Sequence, residues 1–100
     1  MKVVWTPLGL KSLDEITAFI EQQWNEEVVD NFLDRLDERI EQLKSNPRIG
    51  PVYKQTEFRQ LIIHPLVTLF YELRIDYISL TLVWANKKNP QELQKELKQM

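Results

Sequence analysis

Phosphate chemistry is the first reading open to this sequence, because its cations fall beside stretches expected to be ordered. Arg59 lies near the start of the apolar run "FRQLIIH" (58–64), Lys54 stands in the loop before it, and Arg74 follows "VTLFYEL" (67–73). Lys87 and Lys88 come directly after the last such run, "YISLTLVWA" (77–85). A guanidinium or ammonium held on a sheet can neutralise a phosphate. Each also has a plainer role: Arg59 as a strand-edge partner of Glu57 or Glu72, Lys54 and Arg74 as solvated charges, Lys87 and Lys88 as an ordinary basic turn. His64, the only histidine, has neither a cysteine nor a second histidine with which to hold a metal, and its place before Pro65 suits a turn. Trp84 is a core residue or, on an uncovered sheet face, a binding anchor, since aromatic side chains dominate binding hot spots.

Asp30, Asp34, Asp37 and Glu41 recur at helical spacing. Carboxylates so placed repel one another, with Arg35 and Arg39 at hand to relieve part of the strain. The row reads as a solvated outer face, or as a docking surface for a basic partner. A glycosidase pair is remote, because an exposed face gives no desolvation to separate an acid from a base. The sequence has no P-loop, dinucleotide glycine pattern, HExxH or nucleophile elbow, and it calls for no cofactor or metal.

The elements that must position these groups follow from periodicity and capping. "KVVWT" (2–6) is a short β run. A helix starts either at Thr6-Pro7, with Thr as cap and Pro in the first turn, or at Ser12, which has a capping-box spacing to Glu15. Leu13, Ile16, Ile20 and Trp24, with Phe19 beside them, share one face, and this helix ends near Trp24. Asn25 caps a second helix whose stripe is Val29, Leu33, Leu36, Ile40 and Leu43, flanked by Val28 and Phe32; Asn46-Pro47 stops it. The short link makes the two helices an antiparallel hairpin. After a loop around Gly50-Pro51, three β runs (58–64, 67–74 and 77–85) with short connectors form an antiparallel meander. "NPQE" (89–92) starts a closing helix. The order is β-α-α-β-β-β-α, an α+β fold with the helical hairpin on one face of a mostly antiparallel sheet. The other face is expected to be open, and function is sought there.

One hundred residues suit a single domain, 1–100, with one core. The absence of cysteine fits a reducing cytoplasm, and no apolar run approaches the roughly 20 residues of a membrane span. The net charge of −2 divides unevenly: residues 1–45 carry five cations against ten anions, residues 46–100 eight against five. Dedicated nucleic-acid binders are usually far more basic, because phosphate contacts dominate their affinity.

The ordered series "VVWTPLGLKSLDEITAFI", "IEQLKSNPRIG", "FRQLIIHPLVTLFYEL" and "ISLTLVWANKKNP" resembles the RelE/ParE superfamily, the toxin halves of bacterial type II toxin–antitoxin (plasmid stabilisation) modules. The long hairpin and "NPRIG" are more similar to the ParE branch. That resemblance implies a cytoplasmic toxin that poisons DNA gyrase through protein contacts and is neutralised by a cognate antitoxin, laid along the sheet edge and the grooves between helices and sheet. Arg59, Lys87, Lys88 and Trp84 would then be contacts with target or antitoxin. The RelE branch implies cleavage of ribosome-bound mRNA, for which Arg59, Lys54 and Lys87 or Lys88 would hold the phosphate. Against it, Leu61 and Thr68 stand where that branch carries further cations, and the tail after Lys88 has neither tyrosine nor histidine. A third alternative is a decayed module that still binds an antitoxin and poisons nothing.

Overall fold

Thr6 opens the first helix, and its side chain shows why. In the computed structural model, which describes residues 1–65 and 67–85, Thr6 has an extended backbone and its hydroxyl accepts a 2.9 Å hydrogen bond from the Gly9 N–H. Pro7 occupies the first turn, where its missing N–H costs nothing. The elements are β1 (Lys2–Trp5), α1 (Pro7–Gln23), α2 (Glu26–Ser45), β2 (Phe58–His64), β3 (Val67–Leu73) and β4 (Tyr77–Ala85). Of the two possible starts, Thr6-Pro7 is therefore the one used. Ser12 lies inside α1 and is buried. The closing helix expected from residue 89, with Lys87 and Lys88, lies outside the described residues.

Asn25 caps α2 by accepting from the Val28 N–H at 3.1 Å, and Glu26 and Glu27 in the first turn face the positive end of the helix dipole. Phe32, Leu36, Ile40 and Leu43 are buried beside Ile16 and Ile20 of α1. The predicted α1 stripe is corrected at one end: Trp24 is 54% exposed and Phe19 40%.

The sheet runs in the order β1-β4-β3-β2, with β1 parallel to β4 and the other pairs antiparallel. Its helix-backed face contributes Leu61, Ile63, Val67, Leu69, Tyr71, Ile78, Leu80 and Val83 to the main core. The second face is not the open platform expected from the sequence. Phe70, Leu82 and Trp84 are buried there as a second cluster, with Leu8, Tyr53 and Phe58 packed against them.

A register shift makes this second cluster. Phe70 pairs with Leu82 but Tyr71 with Leu80, so Thr81 is an extra residue in β4. Side chains alternate across a strand, so one added residue exchanges the faces beyond it. Ile78 and Leu80 therefore point to the helices, and so do Val83 and Ala85, while Leu82 and Trp84 turn away. The Thr6 hydroxyl lies against the bulge, 3.3 Å from the Leu80 carbonyl and 3.1 Å from that of Thr81, and the Thr6 N–H donates to Leu80 at 3.1 Å. β1 pairs with β4 only as far as Leu80, and beyond it Ser12 takes over the edge: its hydroxyl accepts from the Val83 N–H at 2.9 Å and donates to the Gly9 carbonyl at 2.9 Å. Gly9 permits that approach, since a Cβ there would lie 2.4 Å from the Leu80 carbonyl oxygen.

Candidate functional site

Arg59 does not face the second side of the sheet. It pairs in register with Tyr71, whose side chain belongs to the helix-backed core, so both project to that face. One Arg59 Nη donates to the Gly50 carbonyl at 2.8 Å. Beside it the buried Tyr71 hydroxyl donates to the Pro47 carbonyl at 2.8 Å and accepts from the Gly50 N–H at 3.0 Å. Gly50 is the only residue type that fits, because a Cβ would lie 2.4 Å from the Gln60 carbonyl oxygen and 3.0 Å from the Tyr71 ring. Burial pushes the Tyr71 phenol above its usual range; the Gly50 hydrogen bond and the nearby Arg59 charge oppose that rise. Arg59 and Tyr71 thus hold the segment leading from α2 to β2. The segment then pairs with β2 through Pro51 and Tyr53, whose bonds to Gln60 and Phe58 are 3.0 and 2.8 Å.

The other predicted site residues scatter. Lys54 adopts a left-handed backbone (φ 49°) and places its ammonium 5.3 Å from the Tyr53 ring centroid, within cation–π range. Tyr53 in turn meets Phe70 edge-on, centroids 5.1 Å apart. Trp84 is 4% exposed and packs in the second cluster, so it is not an exposed anchor in this state. Arg74 pairs with Glu72, one of the two carboxylates expected beside Arg59. His64 is exposed at the end of β2. Leu61 and Thr68, where further cations would complete a nuclease pattern, are 2% and 3% exposed. Among the described residues no group of three His, Asp or Glu side chains could hold a metal ion.

Arg35 and Arg39 also do something the sequence did not disclose. Arg35 Nε donates to the Ile63 carbonyl and Arg39 Nε to that of Ile62, at 3.1 Å for the latter. They cover the outer edge of β2, where unpaired carbonyls would otherwise invite another strand.

What the structure assembles instead is a groove of about 570 Å³ between the second half of α1, the first half of α2 and the far ends of β2, β3 and β4. Its floor and one wall are apolar: Ile16, Phe19, Ile20, Trp24, Val28, Phe32, Val67 and Ala85. Asn31, Asp34, Arg35, Glu38 and His64 form the polar margin. The volume lies within the range of small-molecule pockets, and the exposed rings of Phe19 and Trp24 suit it to an apolar side-chain cargo. The sequence signal was the surplus of apolar residues on α1: Phe19 stands beside the core stripe and Trp24 at its end, more than burial against α2 and the sheet can use.

A family model described as the ParE toxin of the type II toxin–antitoxin system, parDE, matches residues 3–89. Among solved structures, the chromosomal ParDE system from P. aeruginosa superposes with a TM-score of 0.73 at 16% identity, covering 85% of this chain and 95% of that one. A YoeB/ParE toxin from Agrobacterium tumefaciens gives 0.62 at 14%, covering 85% and 98%. The E. coli DinJ-YafQ complex gives 0.59 at 12%, covering 86% and 93%. At these identities the structural likeness speaks for the fold alone. No curated protein sequence matches the chain.

Proposed function

We propose, since the chain belongs to the ParE toxin family of type II toxin–antitoxin systems within the RelE/ParE superfamily, that it is a toxin acting by binding a macromolecular target such as DNA gyrase, and that a cognate antitoxin neutralises it. The observation that carries the non-catalytic part is the commitment of Arg59. RNA cleavage through a 2′-hydroxyl needs cations convergent on the scissile phosphate and groups that move its protons. Arg59 instead holds the Gly50 carbonyl on the helix-backed side, Lys54 lies over Tyr53, and Leu61 and Thr68, where the nuclease branch carries further cations, are buried. These described residues offer no shared phosphate cradle.

The groove between α1, α2 and the sheet is where the antitoxin docks in this reading. Helix-in-groove recognition places apolar anchors into such a channel, and Phe19 and Trp24 present the surface for them. Induced expression without an antitoxin is the test, read out separately as gyrase supercoiling with purified protein and as cleavage of ribosome-bound mRNA. Growth arrest with inhibited supercoiling and intact mRNA is expected. No inhibition at micromolar excess, or mRNA cleavage lost in Arg59→Ala, would overturn the gyrase reading. Expression without any arrest would identify a module that has lost its toxicity.

A further inference from the structure

We infer that the antitoxin segment occupying the α1–α2 groove is a cationic amphipathic one, and that Asp34 and Glu38 select it by charge; this rests on the docking reading above. Three observations meet here. The groove's apolar surface includes two large rings left exposed, Phe19 at 40% and Trp24 at 54%, on a channel of about 570 Å³. Its polar margin carries two carboxylates, Asp34 and Glu38, four residues apart and so adjacent on α2. Neither has an ion-pair partner among the described residues, whose salt bridges are Lys44–Glu41 and Arg74–Glu72. The one arginine on the same margin, Arg35, is turned to the Ile63 carbonyl, where it closes the β2 edge.

The field around the groove has the same sign. Helix α2 carries seven carboxylates against three cations, and α1 three against one. An acidic segment entering this channel would bring like charges together, which costs affinity and suppresses wrong partners, whereas lysine or arginine flanking its apolar anchors would find Asp34 and Glu38 unpaired. The apolar floor supplies the bulk of the binding and the carboxylates supply discrimination and orientation.

Two synthetic amphipathic helical peptides test this directly. They share one leucine face, and their flanking positions are all lysine in one and all glutamate in the other. Calorimetric titration into the full chain is expected to give at least about tenfold tighter binding of the lysine peptide at low salt. That preference should shrink between about 0.02 and about 0.5 M salt, as the Debye length contracts, and disappear in the Asp34→Asn/Glu38→Gln double variant. Both sites are exposed, and circular dichroism checks that this variant keeps its helices. Equal binding, or preference for the glutamate peptide, with both lost in Phe19→Ala/Trp24→Ala, overturns the charge selection and leaves the groove reading standing. Binding of neither peptide, or binding indifferent to Phe19→Ala/Trp24→Ala, overturns both. Self-association of the chain that those alanine substitutions abolish would give the groove to a second copy and overturn the proposal as well.

Discussion

Replacing Tyr71 by phenylalanine isolates the latch that ties the α2–β2 segment to the sheet. The substitution keeps the ring, which is fully buried, and removes only the hydroxyl that joins Pro47 and Gly50. The Gly50 N–H then loses its acceptor in a buried position; an unsatisfied buried donor costs about 1–3 kcal/mol, and the second lost bond adds about 1 kcal/mol. Part of this is offset because the phenylalanine variant has no hydroxyl to desolvate, so a net loss of about 2 kcal/mol is expected. For a domain of this size each kcal/mol lowers Tm by about 4–8 °C, which predicts a fall of about 8–16 °C in thermal denaturation. The phenol adds a pH signature. Its folded pKa is raised by burial above the unfolded value of 10.0. The neutral phenol's contribution is therefore complete below the unfolded pKa and is lost as pH climbs toward the folded one. The stability difference between wild type and Tyr71→Phe should thus be constant through neutral pH and shrink above about pH 10. A loss under about 0.5 kcal/mol, or a difference that stays flat across the alkaline range, would refute the latch.

Trp84→Ala should destabilise the fold by about 3–5 kcal/mol in urea denaturation, as for other buried aromatics; a loss of partner binding at unchanged stability would contradict its place in the second cluster. Gly9→Ala should cost about 1–3 kcal/mol by the same measurement, because the new methyl group collides with the Leu80 carbonyl and α1 must move outward. Removing both β2-edge donors, Arg35→Ala/Arg39→Ala, should raise concentration-dependent association in analytical ultracentrifugation more than it lowers stability; a strictly monomeric double variant would count against an edge-guarding role.

Local signals of the chain were legible and long-range ones were not. Thr6-Pro7 and Asn25 mark helix starts by chemistry confined to three residues, and both caps form. Periodicity likewise marked the α2 stripe. Thr81 shows where such reading stops: nothing in "YISLTLVWA" says which residue will be the added one, so alternation read straight through would send Leu82 and Trp84 to the helices with Ile78 and Leu80. The bulge depends on Thr6 and Ser12, roughly seventy residues earlier in the chain. For the same reason Arg59 read as a surface cation. Its acceptor is a backbone carbonyl, a partner that every residue carries and no composition reveals. The groove is half visible in the sequence, since the family resemblance places an antitoxin between helices and sheet, but periodicity alone puts Trp24 on the same stripe as Ile16 and Ile20.

Thr6 is a single side chain shared by the first turn of α1 and the kink in β4, two places that Gly9 and Ser12 also press together. Prising that turn from the sheet must also release the strand where its inner and outer sides change places. The start of the first helix and the side of the sheet that receives Leu82 and Trp84 are therefore set by one group of contacts, with Thr6 as a pin among them.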